Sequence, residues 1–198
     1  MLDILAYPDP RLLKTARPLT DEEINGGLIE GLSLGQLVDQ MTALMRAGGK
    51  GVGLAAPQVG VLVRLFLCDI SASNSPTPVP LVFVNPELSD FRGEVEMFEG
   101  CLSLPGIELK IKRPQMVKVK AKNIHGKEFE IDANGGLARV IQHEHDHLSG
   151  KLITTRTSII GNKKVKEALD QMERAHTRWQ ERQKRKAEKA EKKNDVQG

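Results

Sequence analysis

Cysteine is scarce in this chain: two in 198 residues, Cys68 and Cys101. Two thiols cannot build a disulfide framework, so each is read as a reduced side chain, buried in a core or available as a ligand. Long apolar runs are also missing. No stretch approaches the ~18 consecutive apolar residues a membrane-spanning helix requires. The start, MLDILAYPDPRLLK, turns to proline and charge too soon for a secretory leader. No internal repeat is visible. These absences leave a cytoplasmic protein without a membrane partner as the expectation.

What is present suffices for one domain with an appendage, since 39% of the residues are hydrophobic. Charge is unevenly spread. Of 29 basic and 26 acidic residues, 12 and 7 fall within 161–198, so the body is slightly acidic and the tail basic. The expected division is a folded body over 1–160 and a charged helical tail over 161–198.

Leu34, Leu37, Val38, Met41, Leu44 and Met45 recur at helical spacing, which predicts an amphipathic helix from Leu34 to Ala47 stopped by Gly48-Gly49. Strand-like apolar stretches follow at 61–70 and 81–85, separated by a Ser/Pro/Asn-rich loop. Cys68 sits inside the first and reads as core. Met116–Ala121 and Glu128–Ile131 alternate around Asn123-Ile124-His125-Gly126, a hairpin pattern. A second helix is expected from Gly135, ending at Ser149-Gly150. Short strands with separated helices argue for an α+β fold, with short mixed or antiparallel sheets around that helix and a further helix at the C-terminus.

The second helix carries His143-Glu144-His145-Asp146-His147. Residues i and i+4 share a helix face, so His143 and His147 can aim at one cation. Glu144, rotated by ~100°, suits a general base acting on a water held by that cation, whereas His145, at ~200°, points away. Two imidazoles leave a tetrahedral ion one protein ligand short. A glutamate from the next helix, Glu167, is one source. The other is Cys101, which follows Glu99-Gly100 in a turn-rich setting and would complete an N₂S site suited to Zn²⁺ or Fe²⁺.

Three segments in order, Gly51-Val52-Gly53-Leu54-Ala55-Ala56-Pro57-Gln58, Glu99-Gly100-Cys101-Leu102-Ser103 and Gln142-His143-Glu144-His145-Asp146-His147-Leu148, closely resemble peptide deformylase. The likeness spans most of residues 5–155, including Tyr7-Pro8-Asp9-Pro10-Arg11-Leu12. It implies that Cys101, His143 and His147 hold the metal, usually Fe²⁺ with Zn²⁺, Ni²⁺ or Co²⁺ able to replace it, and that Glu167 is a surface residue. It implies that N-formyl-methionyl nascent peptides are the substrates and formate the product. Glu144 would then carry the proton, while the Gln58 amide and the Leu102 backbone N–H support the oxyanion. Gly51 and Gly53 would let an extended peptide approach closely.

By the same resemblance Val52, Gly53, Met97, Gly100, Arg139 and Val140 contact substrate, and Gly136 and Leu137 join Val52, Met97, Arg139 and Val140 in lining the methionine pocket. Gly136 and Arg139 depart from the aliphatic residues common in bacterial members. Asp146 is expected to anchor the metal helix through Arg113. The tail's composition reads as a solvated helix. The resemblance adds ribosome binding through Lys184, Arg185, Lys186, Lys189, Lys192 and Lys193.

Overall fold

Leu34, Leu37, Val38, Met41 and Met45 all lie on the buried face of one helix, Leu34–Ala47, with the bounds its periodicity predicts. The computed structural model describes residues 2–47, 51–69, 80–156 and 163–194, the side chains of 179 and 183–194 excepted. The Gly48-Gly49 stop and the loop after Asp69 lie outside them.

Helices α1 (Asp21–Ile24), α2 (Leu34–Ala47), α3 (Gly135–His147) and α4 (Lys163–Asn194) accompany seven strands: β1 (Gly53–Ala55), β2 (Leu65–Cys68), β3 (Leu81–Arg92), β4 (Val95–Gly100), β5 (Glu108–Arg113), β6 (Met116–Lys122) and β7 (Glu128–Asn134). Five form an antiparallel sheet in the order β1-β2-β3-β6-β7, and β4 and β5 form a separate hairpin sheet. The fold is therefore α+β, and β6–β7 is the hairpin expected around Asn123–Gly126.

Two strand expectations change. Of the described residues of the 61–70 stretch, 61–69, only Leu65–Cys68 is strand. Val61 and Val63 are buried but bond outside the sheet, Val61 N–H to Ala56 O of a 3-10 turn (3.1 Å) and Val63 N–H to Val61 O (2.9 Å). The 81–85 stretch continues through Pro86 to Arg92, and the two register shifts along it coincide with left-handed backbone at Asn85 and Asp90. Asn85 is secured there by its side chain, which accepts from Leu19 N–H and donates to Leu19 O, both at 2.8 Å.

Helix α3 packs Ala138, Ile141 and the adjacent Leu148 against Phe66, Phe83, Val117, Val119 and Ala133 of the main sheet. Phe66 and Phe83 stack with centroids 4.7 Å apart. Burying such a side chain stabilises by ~1.5–3 kcal/mol, so this layer fixes the helix that carries the histidines. The helix ends at His147, two residues before the expected terminus. Gly150 then takes φ 66° where a Cβ would collide with the Leu13 carbonyl. A third cluster joins Leu12, Leu104, Ile107, Leu109 and Ile111 to Val165 and Leu169 of α4. The first turns of the charged helix thus pack on the body, and Tyr7 Oη donates to Glu173 Oε1 at 2.6 Å.

Candidate active site

Helix spacing brings His143 and His147 onto one face, where their rings meet edge to face with centroids 5.1 Å apart. Cys101 arrives from the other sheet, one residue beyond the end of β4. One ligand atom from each of Cys101, His143 and His147 lies within 4.8 Å of the other two, and Cys101 Sγ is 3.4 Å from His147 Nε2. His145 is outside this group. It faces Arg64, whose Nη2 is 3.2 Å from its Nε2, and burial with that guanidinium pulls its pKa down to about 4. Glu167 is exposed on α4 with Lys163 at 3.8 Å, and it is absent from the group.

The three residues fit a divalent ion by a test internal to the structure. His143 Nδ1 is taken by Glu99 Oε2 at 3.0 Å, which turns Nε2 inward. Burial drives the His147 pKa well down, favouring the neutral ring. Burial acts the same way on His143, but Cys101 and Glu99 outweigh it and raise the pKa to about 10, so a cation binding there displaces a proton. A thiol and two imidazoles form a donor set that suits Zn²⁺ or Fe²⁺.

Glu99 is itself held by two arginines. Arg113 Nε and Nη2 reach its two oxygens at 2.6 and 2.9 Å, and Arg139 Nη1 reaches Oε1 at 2.5 Å. Burial would raise the Glu99 pKa, but His143 and Arg113 outweigh it and bring the value to about 2. Arg113 Nη1 also donates to Asp146 Oδ2 at 2.8 Å, and Arg156 pairs with the same carboxylate. The expected Asp146–Arg113 anchor is therefore present. The role of Glu99, by contrast, has no signal in the sequence beyond its motif, because nothing local marks one glutamate of Val95-Glu96-Met97-Phe98-Glu99-Gly100 as the buried one.

Glu144 is fully buried, its Oε2 has no hydrogen-bond partner among the described residues, and burial raises its pKa to about 7. Gln58 is oriented from behind: Oε1 accepts from Ala55 N–H at 2.8 Å, so Nε2 faces Ser103 Oγ (3.2 Å) and Cys101 Sγ (3.5 Å). The motif glycines have an intramolecular reason. A Cβ on Gly53 would strike Glu144, and one on Gly51 would overlap the Met45 carbonyl.

A cavity of about 950 Å³ gathers Val52, Gly53, Gln58, Gly100, Cys101, Leu102, Arg139, Val140, His143 and Glu144 on its wall. Met97, Gly136 and Leu137 are not on it: Met97 is 51% exposed, and Leu137 packs with the sheet cluster. Lys164, Val165 and Ala168 of α4 are on it, a contribution the charge-rich sequence does not suggest. Cys68 is buried in β2 with its thiol pKa pushed up by burial, as a core cysteine should be.

Residues 1–164 match the sequence model of the family described as polypeptide deformylase. The peptide deformylase of Thermodesulfovibrio yellowstonii is 45% identical over 158 residues, covering 80% of this chain and 90% of that protein. That of Acinetobacter baumannii is 40% identical over 179 residues, covering 90% and 95%. Among solved structures, a peptide deformylase from Legionella pneumophila superposes with TM-score 0.75 at 39% identity, covering 90% of this chain and 98% of that one. Arabidopsis thaliana peptide deformylase 1B, in complex with an inhibitor, reaches TM-score 0.76 at 34% identity, covering 88% and 92%. With family match, full-length relatives and the clustered thiol and imidazoles in agreement, the chain belongs to the polypeptide deformylase family.

Proposed function

We propose that this chain removes the formyl group from the N-terminal formyl-methionine of nascent proteins, with Cys101, His143 and His147 holding a divalent cation and Glu144 moving the proton. The observation that carries the reading is a thiol and two imidazoles with ligand atoms within 4.8 Å of one another, where Cys101, His143 and the buried Glu144, whose Oε2 has no partner among the described residues, share one cavity wall. Bound there, the cation supplies Lewis acidity and lowers the pKa of water to ~7. Fe²⁺ is the ion we propose, with Zn²⁺, Ni²⁺ or Co²⁺ as substitutes.

The chain's own residues account for the rest. A carboxyl held near 7 accepts a proton from the attacking water and returns it to the departing amine nitrogen as the C–N bond breaks and formate leaves. Gln58 Nε2, with its partner oxygen already engaged by Ala55, donates to the formyl oxygen as it gains charge, together with the Leu102 N–H. One such donor contributes ~3 kcal/mol. Val52, Gly53 and Gly100 line the peptide's path. Val140 and the Arg139 stem flank the methionine side chain.

Anaerobically purified protein loaded with Fe²⁺ or Ni²⁺ is expected to release formate from formyl-Met-Ala-Ser and nothing from the acetylated peptide. No formate from loaded protein would sink the reading. Cys101→Ala should abolish bound metal, whereas Glu167→Ala should retain it.

Among the described residues no helix is long and apolar enough to cross a membrane. We place the reaction in the cytoplasm, where nascent chains emerge, with residues 1–160 as the catalytic unit and 161–198 as its helical tail. The tail would meet ribosomal RNA through Lys184, Arg185, Lys186, Lys189, Lys192 and Lys193, whose side chains lie outside the described set. Deleting 180–198 should abolish ribosome co-sedimentation at low salt, and unchanged co-sedimentation would remove this part.

A further inference from the structure

We infer that Arg139 is a positioning residue for the metal centre: by tying helix α3 to both strands of the β4–β5 sheet it holds Glu99, and through Glu99 the His143 imidazole. The inference rests on the function proposed above and adds to it a role for a residue whose stem only lines the pocket there.

The three candidate ligands ride on two bodies. His143 and His147 belong to α3, which is fixed to the main sheet, and Cys101 directly follows β4 of the hairpin sheet. The spacing between thiol and imidazoles is therefore set by how α3 sits against β4 and β5. Two guanidiniums span that junction. Arg113, from β5, reaches Asp146 at the C-terminal end of α3. Arg139, one turn before His143, reaches back in the opposite direction. Its Nη1 donates to Glu99 Oε1 (2.5 Å) and to Ile111 O of β5 (3.1 Å), and its Nη2 donates to Val95 O of β4 (2.7 Å). Residues 139 and 146 lie on either side of His143, and His147 directly follows 146, so with either clamp removed α3 can pivot about the other.

An arginine serving only to bind substrate charge would present its guanidinium to the cavity. Here the head is spent on three protein acceptors, and the residue is 8% exposed. Glu99 in turn divides its oxygens: Oε1 takes Arg139 and Arg113 Nε, and Oε2 takes Arg113 Nη2 and His143 Nδ1. Replacing Arg139 by an apolar residue of similar length would preserve a pocket wall. It would remove one of the two cations facing a buried carboxylate and leave the Ile111 and Val95 carbonyls without that donor.

The test is Co²⁺ affinity, by chelator competition, together with the visible absorption of the Co²⁺-loaded protein. Arg139→Met is expected to weaken Co²⁺ binding about 10–100-fold and to alter the absorption envelope. Arg139→Lys should recover part of the loss, because one ammonium cannot serve β4, β5 and Glu99 together. In a Glu99→Gln background, adding Arg139→Met should change affinity by less than about threefold, since both act on one path. Wild-type affinity and spectrum in Arg139→Met, or full additivity with Glu99→Gln, overturns the inference. If the Met variant does not fold, Arg139→Lys carries the test, and wild-type Co²⁺ binding by it is equally fatal. Wild-type protein that takes up no Co²⁺ removes the proposed function along with this inference. Wild-type uptake with an indifferent Arg139 removes the inference alone.

Discussion

A Cβ added to Gly53 would collide with Glu144 Oε1 and stand 2.8 Å from Val140 Cγ1, so strand β1 leaves the carboxylate its place by carrying no side chain there. Gly53→Ala must therefore move Glu144. A displacement of ~1 Å at a reacting group costs up to ~100-fold in rate. We expect kcat to fall about 10–100-fold while bound metal is retained. Gly51→Ala instead collides with the Met45 carbonyl and should lower the thermal midpoint. Steady-state kinetics beside metal analysis separates the two, and wild-type kcat in Gly53→Ala would refute the account.

Glu144→Gln removes the proton carrier and should reduce kcat about 10²–10⁴-fold with metal content unchanged. The same change should stabilise the metal-free protein. A carboxyl whose folded pKa is raised from 4.5 to about 7 penalises the folded state increasingly as pH climbs between those values, and the penalty is complete above them. Its removal is worth on the order of 1–3 kcal/mol at about pH 8. Urea unfolding of both metal-free proteins at about pH 5 and about pH 8, on either side of the raised value, checks this. A stability gain no larger at the higher pH than at the lower would show that burial is not what tunes Glu144.

Helix α2 and the β6–β7 hairpin are legible in the sequence because one periodicity and one turn decide each of them. His143 and His147 are legible for the same reason, being four residues apart on a single helix. Cys101 is not, since its approach depends on where the β4–β5 sheet lies, and only motif likeness prefers it to Glu167. Glu99 and Arg139 are less legible still. Strand β4 exposes the neighbouring Glu96 and Phe98, and the acceptors of Arg139 include backbone carbonyls on two strands whose placement no local pattern encodes. Helix α4 hides a packing face, because Val165, Leu169 and Met172 are spaced for burial but diluted among lysines and glutamates.

The Glu99 network should show itself in acid. Its folded pKa is lowered from 4.5 to about 2, so the stability it contributes is present above the ordinary carboxyl value and is lost as pH falls toward the folded one. The unfolding midpoint in urea should therefore drop steeply below pH 4.5, and Glu99→Gln should flatten that limb while lowering stability at neutral pH. Parallel pH profiles for the two proteins would mean that other carboxylates govern acid unfolding.

The α4 helix makes two separable contributions, and truncation tells them apart. Val165 and Leu169 are buried against Leu104, Ile107 and Leu152, and Lys164, Val165 and Ala168 form part of the cavity wall. Leu169→Ala should cost ~2–3 kcal/mol, the low end for a buried leucine because the site is peripheral and can relax. Ending the chain after residue 162 should cost more, and it should also raise KM, since part of the substrate cavity opens to water. Ending it after residue 179 keeps the packed turns and the Tyr7–Glu173 hydrogen bond. That shorter protein should match the full chain in thermal midpoint and in kcat/KM on a formylated tripeptide. Equal losses from the two truncations would mean that the distal, charge-rich part of the helix supports the catalytic body, contrary to where its buried residues lie.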